Sequence, residues 1–255
     1  MKTRNARGNL SALIGKRPPS KTFAHKLLHE HGFREPARVH AAITRLYTDQ
    51  FQRGSLAKIF PRLIHLCEQS VDPDRVLVNF ERLVSALPNP SMFYHYLQAA
   101  PDRLDLLTRV FAHSQALADT LTRNAEHFHF LIAPETLKMP REKAWLAAEL
   151  NRLLMAGRGP AQRYDIVRRF RRRETLRIGA RDLIGLATVE ETTLELSNLA
   201  DVCLQAVFEI ALEKVSVQYK IAGAPFQVRP GHNRAQKGAP THTESFTIIG
   251  MGKLG

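Results

Sequence analysis

Sulfur is scarce in this chain, and long apolar runs are missing. Only two of the 255 residues are cysteines, Cys67 and Cys203. They lie far apart in apolar helical patterns and fit no CxxC or zinc spacing, which argues against a disulfide framework and a zinc ribbon. Buried thiols in a reducing, cytoplasmic compartment are expected instead. No stretch approaches the ~18 uninterrupted apolar residues of a membrane span, so no membrane partner is expected. Acidic residues are absent before Glu30, and the opening MKTRNARGNLSALIGKRPPSK lacks the apolar core of a secretion signal. Residues 1–21 read as a flexible basic tail, with an organelle transit peptide as the alternative. Strand patterns are nearly absent between residues 22 and 217.

What is present is basic and helical. Lys and Arg number 37 against 24 acids, a net charge of +13 that favours an anionic partner: a nucleotide, a nucleic acid or an acidic protein surface. With 44% hydrophobic residues the chain can bury a core. Apolar spacings of three and four over residues 22–217 predict one helical domain. Helix starts are expected at Asp72-Pro73, Asn89-Pro90 and Met139-Pro140, where proline occupies the first turn without losing a needed N–H. Pro61 predicts a kink or break. Thr188 and Glu191 have capping-box spacing, and Val189, Leu196, Leu199, Cys203, Val207 and Ile210 form one apolar stripe behind them. A Gly/Pro-rich loop is expected over 218–244, followed by a strand over Ser245–Ile249.

The chain closes on FTIIGMGKLG, a short β-branched run followed by Gly250, Gly252 and Gly255. This is no Walker loop, since Thr247 stands where its first glycine belongs and Leu254 replaces the hydroxyl after the lysine. It does fit GxGxxG after a strand, although the helix and the acid that complete a dinucleotide site do not follow. Such a turn lets backbone amides approach phosphate oxygens, and Lys253 adds positive charge. A tight turn without a ligand is the alternative reading. Asp72-Pro73-Asp74 is formally DxD, but Asp72 is placed to cap a helix, so it is not read as a metal site. Glu190 and Glu191 suit a first helical turn.

Other conspicuous residues have structural explanations. Eight arginines fall between Arg163 and Arg181 against Asp165 and Glu174. A solvated helix face and a nucleic-acid surface are both open, although only Tyr164 and Phe170 could stack on bases. His25, His29, His31, His127 and His129 show no HExxH order and read as ordinary helical histidines rather than zinc ligands. Phe93, Tyr94, Tyr96 and Trp145 read as packing.

Three segments carry a family resemblance. IIGMGKLG resembles the opening of the nucleotidyltransferase domain in the bacterial glutamine synthetase adenylyltransferase family, where strand and turn precede a helix and an acidic DxD strand. NFER, residues 79–82, opens a stretch to residue 132 that resembles the family's helical leader. Residues 168–207, with RIGARDL and ELSNLAD, resemble the segment that follows. The resemblance implies a mainly α chain: a helical domain, then the first strand and glycine turn of an α/β nucleotidyltransferase domain over 245–255, incomplete here. It implies transfer of AMP between ATP and a tyrosine of glutamine synthetase, with removal by phosphorolysis in the half that this copy resembles. Implied ligands are Mg²⁺ and ATP or ADP; implied partners are glutamine synthetase and a nitrogen-signalling regulatory protein. Gly250, Gly252, Lys253 and Gly255 match the nucleotide-binding turn, and the acidic pair is expected beyond Gly255, leaving the chain by itself catalytically silent. The arginine run then gains a third reading, with Arg181 paired to Asp182 or another acid and bracing the helices. A non-catalytic basic helical module that binds nucleic acid or a protein is the other class of function.

Overall fold

A computed structural model describes residues 9–131 and 133–219, which are helical throughout and contain no strand. The expected loop at 218–244 lies outside this range from residue 220 on, as do the strand at 245–249 and the glycine turn. The described residues divide into two compact units rather than one helical domain. The first takes the chain up to Pro140 together with Arg172–Thr192, and the second takes Arg141–Arg171 and the chain from Thr193.

The first unit begins earlier than the expected tail allows. Leu10–Ile14 form a 3-10 turn, capped where the Asn9 side chain accepts from the Ser11 N–H at 2.8 Å. Leu10, Leu13 and Ile14 are buried in the core. Three apolar residues within five positions bury enough surface to order a basic segment, so the flexible-tail reading fails from Asn9 onward. Helices α1 (Lys21–Glu30), α2 (Pro36–Arg45), α3 (Gln50–Gln69), α4 (Pro73–Ala86), α5 (Pro90–Ala99), α6 (Pro101–His113) and α7 (Gln115–Arg123) follow. Two short helices, α8 (His127–Leu131) and α9 (Pro134–Lys138), come next. In this unit α3 packs on α5, and α4 lies against α2, α6 and α7.

Local chemistry accounts for most of these boundaries. Asp72 accepts from the Arg75 N–H at 3.0 Å and Asn89 from the Met92 N–H at 3.1 Å, each with proline in the first turn. Helix α3 runs through Pro61 without a break. Pro61 sits on its exposed side, while Leu56, Ile59, Phe60, Leu63, Ile64 and Cys67 are buried around it. Burial of that face outweighs the one missing backbone hydrogen bond.

Helices α10 (Lys143–Leu154), α11 (Pro160–Leu183) and α12 (Val189–Tyr219) complete the described chain. Pro140 does not open α10. The helix begins three residues later, and the Arg141 N–H ahead of it bonds the buried Glu195 carboxylate at 2.8 Å. In the second unit Leu146, Leu150, Leu154, Val167, Phe170, Leu199, Val202, Cys203, Ala206 and Ile210 are buried. Lys143 pairs with Asp201 at 2.5 Å, and Arg163 pairs with Glu213. The stripe predicted for α12 is only half right: Leu199, Cys203 and Ile210 are buried, whereas Val189, Leu196 and Val207 are exposed.

Helix α11 ends in a glycine stop. The Leu186 N–H bonds the Arg181 carbonyl at 2.9 Å, and Gly185 has φ +75° with no atom within 4 Å of an added Cβ. Gly185→Ala should therefore lower unfolding stability by about 1 kcal/mol through backbone strain alone. Gly54→Ala, inside α3 and equally uncrowded, should raise it by about 0.5–1 kcal/mol. Urea denaturation of the two variants checks the opposite signs.

Candidate functional site

Gly250, Gly252, Lys253 and Gly255 lie outside the described residues. The described functional-looking chemistry is concentrated instead in RIGARDL and NFER, both in the first unit.

Helix α11 buries charge within that unit. Glu174, Arg177 and Arg181 are 0%, 0% and 1% exposed, so of the readings open for the arginine run these residues follow the bracing one rather than the solvated face. The Glu174 carboxylate accepts from Arg177 Nε at 2.8 Å with one oxygen and from Arg173 at 3.2 Å with the other. Arg173 also lies over the Phe130 ring, 4.7 Å from its centre. Arg181 donates to the Leu137 carbonyl at 2.7 Å and the Leu186 carbonyl at 3.1 Å, with Glu191 at 4.0 Å. Its acid is thus Glu191 rather than Asp182, which accepts from the Thr192 hydroxyl. Glu191 also closes the predicted capping box: its carboxylate accepts from the Thr188 N–H at 3.1 Å, and its own N–H donates to the Thr188 hydroxyl at 3.2 Å. One guanidinium therefore holds α9, the α11–α12 turn and the first turn of α12. Close packing supports this arrangement at Gly179, where an added Cβ would stand 2.6 Å from Leu117 Cδ1 on α7.

These bonds assign the arginine run. Between Arg163 and Arg181, Arg163, Arg168, Arg173, Arg177 and Arg181 all enter ion pairs. Exposed Arg169, Arg171 and Arg172 remain as candidates for a phosphate backbone, a small footprint for nucleic-acid binding.

The NFER residues are structural as well, a role that their sequence does not announce. Phe80 is in the core. Asn79 donates to Gln115 at 3.1 Å and accepts from Arg82 at 3.0 Å, and Arg82 reaches Asp119 at 2.8 Å, so α4 is tied to α7. Hydrogen bonds from Arg82 and Gln115 hold the Asp119 carboxyl below its usual range. Glu81 is buried and paired with Arg45 of α2 at 2.9 Å. Beside this network is a polar cavity of about 340 Å³, lined in part by Arg38, Arg75 and Arg82 and by Glu35, Asp72 and Asp74. Its opposed charges balance, which suits no strong anion.

No group of three metal-ligating side chains exists among the described residues. Asp72 caps α4, and Asp74 accepts the Arg34 and Glu35 N–H groups at 2.9 and 2.8 Å, so both carboxylates of the formal DxD are occupied by backbone. His31 bonds Glu68, His25 meets His40 edge-on, and His129 meets Tyr96. Burial pushes the Cys67 thiol up, and Cys67 and Cys203 are both buried outside any disulfide. Phe93 and Tyr94 pack as expected. Trp145 is 44% exposed under the Arg141 guanidinium, 3.9 Å from the ring centre, rather than in a core.

Two predictions arise here. Glu174→Gln removes the charge that faces buried Arg177 and should cost about 3 kcal/mol, whereas Asp165→Asn at the exposed Arg168 pair should cost under about 0.5 kcal/mol. Paired urea titrations at neutral pH would compare them. His127 is buried, its Nδ1 has no hydrogen-bond partner, and burial lowers its pKa below 6.5, opposed by Glu126 and helped by Arg173 and Arg172. The unfolded state then binds the proton more readily, so stability present at neutral pH should fall as pH drops below 6.5. His127→Leu should flatten that decline, as read from denaturation midpoints at pH 7.5 and about 5.5.

Residues 104–255 match the family model for glutamate-ammonia ligase adenylyltransferase. The chain is 27% identical over 243 residues to a bifunctional glutamine synthetase adenylyltransferase/adenylyl-removing enzyme of Thioalkalivibrio sulfidiphilus, covering 91% of this chain and 24% of that protein. A relative of the same name from Mycobacterium leprae is 30% identical over 220 residues, covering 84% of this chain and 20% of the relative. The chain thus spans between a fifth and a quarter of the length of these relatives.

Proposed function

Because the chain belongs to the glutamate-ammonia ligase adenylyltransferase family, we propose that it is part of a nucleotidyltransferase that acts on a tyrosine of glutamine synthetase. The observation that carries this reading is the extent of the match, which takes in the RIGARDL segment and the terminal turn together. In the proposal the helices are a scaffold, and Gly250, Gly252, Lys253 and Gly255 bind the nucleotide phosphates through backbone amides and one ammonium. The order of segments, helical leader before this glycine turn, favours the adenylyl-removing half. There an oxygen of inorganic phosphate attacks the phosphorus of the AMP–tyrosine ester, the phenolate oxygen leaves, and ADP forms.

Mg²⁺ would neutralise charge on the transferring group. The described residues do not fit it, since Asp72 and Asp74 are taken up by backbone amides. We place its ligands in an acidic pair beyond Gly255, and the partners in the cytoplasm: glutamine synthetase and a nitrogen-signalling regulatory protein. ADP release from adenylylated glutamine synthetase tests the assignment. The 255-residue chain should remain at background, whereas the chain lengthened by its downstream coding sequence should turn over in a phosphate-dependent way. Lys253→Ala in the lengthened protein should reduce kcat/KM about 10²-fold. Robust turnover by the shorter chain, or none by the longer, would overturn the reading.

A further inference from the structure

The polar cavity between α2, α4 and α7 has a volume of about 340 Å³, and Val78 is the one apolar residue among the described residues that line it. Its carboxylates are largely committed. Both oxygens of buried Asp74 accept backbone N–H groups, one oxygen of Asp72 accepts the Arg75 N–H, and Glu35 shares the Arg38 guanidinium at 3.3 Å. Two of the three guanidiniums are engaged as well, Arg38 with Glu35 and Arg82 with Asn79 and Asp119. Arg75 is the exception. Among the described residues its guanidinium donates no hydrogen bond: Nε is buried without a hydrogen-bond partner, and the Asp72 oxygen beside it stands 3.8 Å away. The cavity therefore contains a planar cationic fork whose donors are unused.

We propose that this cavity binds a short, polar monocarboxylate, with the carboxylate held by Arg75. A carboxylate matches the guanidinium fork through two parallel N–H···O bonds. Charge limits the ligand to one negative group. The formal charges of the lining cancel, Arg38, Arg75 and Arg82 against Glu35, Asp72 and Asp74. What is left is the partial positive charge, roughly half an elementary charge each, at the N-termini of α2, α4 and α7, whose capping or first residues Glu35, Asp72 and Gln115 border the cavity. That excess suits a monoanion and is too small to hold a dianion such as phosphate against the neighbouring carboxylates. Size and lining restrict the rest of the molecule: the volume is near the lower end for small-molecule sites, and a wall with so little apolar surface offers no seat for an alkyl or aromatic body. The site goes beyond the AMP-transfer reading and uses none of its residues, so either can fail without the other.

Ligand-observed NMR titration of the full 255-residue chain with sodium L-lactate, at fixed ionic strength, tests the site. Saturable binding is expected. Methyl lactate, which lacks the charge, should show none, and inorganic phosphate should bind more weakly than lactate. Arg75→Gln should weaken lactate binding about tenfold, the effect of losing hydrogen bonds to a charged group. Arg75→Lys keeps the positive charge beside Asp72 but not the fork, and should weaken binding in the same direction. Arg171→Gln, at an exposed arginine of α11, should leave the affinity unchanged. Absence of saturable lactate binding, phosphate binding at least as tight as lactate, or lactate affinity unaltered in both Arg75 variants would each contradict the proposal.

Discussion

Buried charge on α11 places a directional constraint on the first unit. The acceptors that meet a buried guanidinium must lie in the fixed directions of its N–H groups. Arg181 finds them in the carbonyls of Leu137 and Leu186, and Arg177 finds Glu174. These bonds fix where α9 ends, how α11 turns and where α12 begins. Apolar residues can slide by a fraction of a turn and remain buried, whereas these hydrogen bonds are lost when the donors move off their acceptors.

That network also explains what could be anticipated from the residues alone. Short-range signals were clear: the Asp72 and Asn89 caps before proline, and the Thr188–Glu191 box, depend on neighbours within one helical turn. Readings that depended on distant partners failed. The Arg141 N–H beside Pro140 bonds Glu195, which is far along the chain, and Leu10, Leu13 and Ile14 were hidden in a basic segment whose core only folding supplies. The arginine run could not be divided into buried and exposed members by composition. Arg177 and Arg181 are four apart like any amphipathic pair, and nothing in their spacing distinguishes an inward polar stripe from an outward one.

The motifs that resemble the family therefore have two physical characters. NFER and RIGARDL, read at first as markers, are internal fastenings: Asn79 and Arg82 tie α4 to α7, Glu81 ties it to α2, and Arg181 of RIGARDL holds three segments at one point. The glycine turn is different in kind, since its value would lie in leaving backbone amides open to a ligand. A family signature can thus be legible as a pattern while its parts do unlike things.

Gly179 shows how such fastenings limit change. The terminal methyl of Leu117 already occupies the space that any side chain at position 179 would need. Freedom at the two sites is consequently shared: a larger residue at 179 is acceptable only alongside a smaller or turned-away one at 117. Divergence along this seam should proceed by reciprocal steps in volume, with each single step less fit than the pair.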